Sequence, residues 1–188
     1  MKPFAIALLL ACAALCARAE PETFTIDPNH TFPTFEYTHL GVSVQRGRFS
    51  KTTGKITIDS AAKTGNVEAV IDATTVEAGP PRLVEHLRGP DFFDVAKYPT
   101  LTFKGSRFTF DGEKVKSVSG ELTILGVTKP VTLNAVSFNC GQHPQNKKKI
   151  CGGDFAVAIK RSDWGMSRFA PAVSDEIVLH IGVEAAKD

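Results

Sequence analysis

The chain has 188 residues, 43% of them hydrophobic and 22% charged, with a formal net charge of +2. These proportions exclude a disordered, collagen-like or polytopic membrane chain and fit one folded domain with a sizeable core. Residues 1–19 hold Lys2 and Arg18 but no acid, so removing them from 22 basic residues leaves 20 against 20 acidic ones. A neutral mature chain takes away the simplest electrostatic case for a nucleic-acid partner.

The first nineteen residues read as a secretory signal peptide. Lys2 is a short positive n-region, Phe4 to Leu15 is an apolar stretch too short to span a bilayer, and Ala17-Arg18-Ala19 is a small-x-small cleavage site. Cleavage after Ala19 leaves residues 20–188 as a single domain and Cys140 and Cys151 as its cysteines. Cys12 follows Leu9-Leu10-Ala11, a faint likeness to a lipoprotein box that keeps lipidation as a minor alternative. In an oxidising compartment such a lone pair reads as a disulfide. A metal site using Cys140, His143 and Cys151 lacks a paired Cys-x-x-Cys and a clear fourth ligand. The run Lys147-Lys148-Lys149 between the cysteines reads as a solvated hairpin tip.

From Phe24 onward the dominant period is two. Phe35, Tyr37 and His39 share one face of a strand, as do Val67, Ala69, Ile71 and Ala73 of the next clear one. Residues 80–98 break the alternation. Leu83 and Leu87 are spaced like one face of a short helix, Gly89-Pro90 ends it, and Phe92-Phe93 follows. Alternation resumes with Leu101 and Phe103, then Phe108 and Phe110, before a hairpin signal at Asp111-Gly112. Val118, Leu122 and Ile124 come next, then Val131, Leu133 and Ala135. The parity slips at Val136 and Phe138, which predicts a β-bulge. Phe155, Val157 and Ile159 form another face, and Ile177, Leu179, Ile181 and Val183 close the chain.

The expectation is an all-β fold: an eight-stranded antiparallel barrel with a short helical plug between strands. A barrel of that size holds packed side chains or one small ligand. A membrane-spanning barrel needs a lipid-facing apolar band. Here Glu68, Asp72, Lys104, Glu121 and Glu184 occupy the faces opposite the apolar stripes, so no stable membrane insertion is expected.

Several segments carry a family resemblance. FEYTHLGVS at 35–43 with Gly47-Arg48-Phe49, HLRGPDFFDVAKYPTLTF at 86–103 and GELTILGVTKPVTL at 120–133 resemble the YceI-like family. Cys140 through Phe155 to Trp164-Gly165 is similar to its disulfide-bearing members. The resemblance covers nearly all of residues 20–188. It implies an extended lipocalin-like barrel in the periplasm that holds a polyisoprenoid lipid, including isoprenoid quinones such as ubiquinone, in an elongated apolar cavity. No metal and no catalytic residue come with it.

A prenyl tail offers no hydrogen bonds, so a dry channel of hydrocarbon side chains is the site it needs. Phe35, Tyr37, Leu101, Phe103, Phe108, Phe155 and Trp164 are candidates for its wall, and Leu83, Leu87, Phe92 and Phe93 for a cover at one end. Barrel ends require packing residues in any case, so the set is the candidate rather than each member. His39 or Tyr37 is placed to meet a quinone carbonyl or other head group. The expected function is a periplasmic carrier, with no cofactor beyond the bound lipid; a homodimer is compatible with the sequence. A lipid-modifying hydrolase or isomerase acting in the same cavity is the alternative, although no nucleophile elbow, phosphate loop or paired-cysteine redox motif appears.

Overall fold

The computed structural model describes residues 20–188, so the signal peptide expected at 1–19 lies outside the described residues. Six short strands come first: β1 Glu22–Ile26, β2 Phe32–His39, β3 Ser43–Phe49, β4 Thr52–Asp59, β5 Thr64–Asp72 and β6 Val76–Glu77. Helix α1, Pro81–Arg88, separates them from five strands of 11 to 16 residues: β7 Thr100–Asp111, β8 Lys114–Ile124, β9 Val127–Gln142, β10 Lys149–Lys160 and β11 Glu176–Lys187. All pairings between them are antiparallel.

Register shows how these elements make a closed eight-stranded barrel. β1 and β2 lie end to end along β11, with Phe24 opposite Lys187 and Glu36 opposite Val178. β4 and β3 lie the same way along β1 and β2, and β5 and β6 along β4 and β3. The first three staves of the barrel are therefore each broken once, and the other five are continuous. At Ala73–Thr75 the break has a local cause. The Asp72 carboxylate accepts from the Thr74 amide at 3.1 Å and the Thr74 hydroxyl at 2.6 Å, which turns β5 into a 3-10 turn before β6.

Three bulges keep hydrophobic residues inside where the sequence changes parity. Ser106 is the extra residue between Gly105 and Arg107, so β7 turns Leu101 and Phe103 inward and then Phe108. Lys116 does the same in β8 between Val115 and Val118. In β9 the expected bulge falls at Val136, which projects into solvent with 73% exposure while Phe138 packs inside. The Asp111-Gly112 turn is present, with Gly112 at φ 57°. One expectation needs correction. Lys149 is not part of the solvated tip; it opens β10 and pairs with Glu22.

α1 has Pro81 at its first position, ends at Gly89 and turns Leu87 fully inward. The chain then folds under it, with the amides of Phe93 and Val95 donating to the carbonyls of Leu87 and Arg88. Phe92 and Phe93 thereby join the main core cluster beside Phe35, Phe49, Leu101 and Trp164. A second, smaller cluster of Phe24, Cys151 and Ala185 lies at the opposite end of the barrel. Cys140 and Cys151 stand directly opposite one another on β9 and β10 and form a disulfide, with Cα atoms 4.1 Å apart.

Candidate functional site: a two-chambered tunnel

The inward residues leave two adjoining chambers along the barrel axis. The wide one has a volume of about 450 Å³ and lies under α1. The narrow one, about 110 Å³, runs on toward the disulfide. Pro33, Ile71, Leu122, Leu179 and Ile181 wall both, so the two chambers adjoin end to end along the barrel. Small-molecule sites commonly occupy about 300–1,000 Å³, and the wide chamber falls in that range.

Nine of the twelve candidate wall residues line the wide chamber. β2 supplies Phe35, Tyr37 and His39; α1 and the turn after it supply Leu83, Leu87, Phe92 and Phe93; Leu101 comes from β7 and Trp164 from the 3-10 turn after β10. The other three, Phe103, Phe108 and Phe155, line the narrow chamber. Two groups of rings cover the wide end. Phe35, Phe49 and Phe93 pack mutually at 5.1 to 5.8 Å between centroids, and Phe92, His86 and Phe169 at 5.0 to 5.9 Å. The first group depends on Gly47, where a Cβ would stand 2.2 Å from the Phe35 ring.

Polarity is concentrated at one end. Thr31, Thr52 and the disulfide-bonded Cys151 interrupt the hydrocarbon wall of the narrow chamber, whereas Tyr37, His39, Gln45, His86 and Arg161 reach the wide one. Burial pushes the Tyr37 phenol above the usual tyrosine range, so at neutral pH its hydroxyl is a donor. Arg161 is 4% exposed, and burial lowers its pKa while Asp175 raises it. Its guanidinium remains charged. It donates from Nε to the Ser174 carbonyl at 2.9 Å, from Nη1 to Met166 at 2.6 Å and from Nη2 to Val173 at 2.9 Å. The arginine thus staples the 162–175 segment, whose Met166, Phe169 and Val173 complete the chamber wall.

Sequence reasoning missed Phe24, Phe49, Phe138, Arg161, Met166 and Phe169 as lining residues. Phe49 lies in the Gly47-Arg48-Phe49 segment and shares the parity of Gly47. Arg161 carried no signal, because a lone arginine ordinarily reads as solvated. Phe138 is marked in the sequence by the parity slip, but the slip alone does not say which of Val136 and Phe138 turns inward.

The YceI-like domain profile matches residues 24–185, almost every residue that builds the barrel and the tunnel. The chain belongs to the YceI-like family. Protein YceI of Escherichia coli O157:H7 is 34% identical over 159 residues, covering 84% of this chain and 82% of that protein. The crystal structure of the Campylobacter jejuni YCEI protein superposes with a TM-score of 0.68 at 30% identity, over 80% of this chain and 90% of that one. A polyisoprenoid-binding domain from Saccharophagus degradans, implicated in plant cell wall breakdown, matches with a TM-score of 0.63. It is 16% identical over 88% of this chain and 98% of that one, so it bears on the fold alone. In this YceI-like barrel no described helix is long and apolar enough to cross a membrane.

Proposed function

We propose that this YceI-like protein is a periplasmic carrier of an isoprenoid lipid, an isoprenoid quinone such as ubiquinone in particular. The observation that carries the reading is the polarity gradient of the tunnel, with hydrocarbon at the narrow end and hydrogen-bonding side chains at the wide one. A prenyl tail in the narrow part and a carbonyl-bearing head near Tyr37 and His39 match that gradient group for group. Burial contributes about 0.8 kcal/mol per CH₂, so a few isoprene units hold the ligand firmly even after ordering costs. A domain of the same fold from Saccharophagus degradans is a polyisoprenoid-binding one, which makes this ligand class the first to test.

Mass spectrometry of the organic extract from gently purified protein tests it. The expected result is an isoprenoid in near-stoichiometric amount, returned unchanged after incubation. Recovery of no lipid overturns the carrier, and recovery of a cleaved or isomerised product replaces it with a lipid-modifying enzyme.

A further inference from the structure

The narrow chamber has a built end. β9 turns Leu133 inward, and without the extra residue at Val136 the following even-numbered Phe138 would face solvent. The bulge turns Phe138 inward, where it lines the chamber and packs against both hydrophobic clusters. Phe24, 1% exposed, and Ala185, 2% exposed, lie at the same end. The disulfide holds β9 to β10 only two residues beyond Phe138. Outside this end the Glu22 carboxylate binds both Lys149 and Lys187, and the Lys149 ammonium sits 5.9 Å from the centre of the Phe24 ring. Phe138, only partly buried, can be trimmed at less cost than the fully buried Phe24.

We propose that Phe138 is a specificity-determining residue that limits the length of prenyl tail the tunnel accepts. The inference rests on the carrier reading, and it assigns to one side chain a property that reading leaves open. A tail advances along a wall that is almost wholly hydrocarbon, so little in the wall selects length until the tail meets the ring at its end. Removing that ring adds depth, while adding bulk ahead of it at Ala69, which lines the same chamber from β5, subtracts depth.

The test uses residues 20–188 carrying the native disulfide, with ubiquinones of graded tail length as the probe. Binding to wild type, Phe138→Ala, Phe138→Leu and Ala69→Phe is measured by mass spectrometry of the retained quinone, and circular dichroism selects the folded variants. Phe138→Ala is expected to raise affinity for homologues one isoprene unit longer than the wild-type optimum by about tenfold or more. Phe138→Leu should shift in the same direction by less, and Ala69→Phe in the opposite one. If Phe138→Ala does not fold, the leucine and Ala69 variants decide. Unchanged length profiles in folded variants overturn the role of Phe138 and leave the carrier intact. A wild-type protein that retains no quinone of any length overturns the carrier reading itself.

Discussion

The Trp164 indole donates from Nε1 to the main-chain carbonyl of Leu122 at 3.1 Å, joining the turn after β10 to the inner wall of β8. Trp164 is 3% exposed and lines the wide chamber. It is also the single tryptophan of the chain, so one buried fluorophore reports on that chamber. Titrating the protein with ubiquinone should quench its emission saturably. Trp164→Phe should abolish the signal and lower stability in urea by about 1–3 kcal/mol, since the Leu122 carbonyl loses its side-chain donor. Full emission at saturating ligand would place the quinone elsewhere.

Placing a charge inside the barrel separates the wall from its outer face. Phe103, 7% exposed, lines the narrow chamber, while its neighbour Lys104 points outward between Glu68 and Glu121 on the flanking strands. Phe103→Glu should eliminate lipid recovery in protein that circular dichroism shows to be folded. Lys104→Gln is the proper control and should leave recovery unchanged. Lys104→Glu is not, because it would set three carboxylates side by side across three strands.

Loss of the Cys140–Cys151 bond should destabilise the barrel without opening it, because the bond links residues already paired in the β9–β10 ladder. The chain-entropy account of so short a loop gives about 2–3 kcal/mol. The midpoint of urea unfolding for Cys140→Ser/Cys151→Ser should drop accordingly, with the far-ultraviolet spectrum preserved. A disordered spectrum would show that the bridge is needed for the fold.

Glu22 links pH to stability. Hydrogen bonds from Lys149 and Lys187 hold its carboxyl below the usual glutamate range. A depressed folded value means the contribution is complete above the unfolded value, about 4.3, and is lost as pH falls through the folded one. Urea midpoints should therefore decline on acidification below that range, and Glu22→Gln should flatten part of the decline. Identical acid limbs for the two proteins would exclude this carboxylate as a contributor.

Much of this was legible because a half-buried strand writes its two faces into alternating residues. Phe35-Tyr37-His39 and Leu101-Phe103 were readable for that reason, and the i, i+4 pair Leu83 and Leu87 marked α1. What stayed hidden lies where alternation fails. The bulges at Ser106 and Lys116 invert parity without any distinctive residue type. Arg161 is buried only because three carbonyls of a loop close around it, a tertiary circumstance that no local pattern records. That β1 and β2 form one broken stave depends on register with β11, which lies more than 140 residues later.

The same closure constrains how the molecule is made. Thr25 and Asp188 meet across 163 residues of chain, and the residues of β11 from Ala185 to Lys187 pair with β1. A nascent chain that has not yet released β11 is an open sheet with two raw edges. Ring closure, with its large loop entropy, must wait for β11. Until then the edges of β1 and β10 are exposed templates for other strands. Loss of Ala185–Lys187 is thus a lesion in assembly out of proportion to the surface it removes.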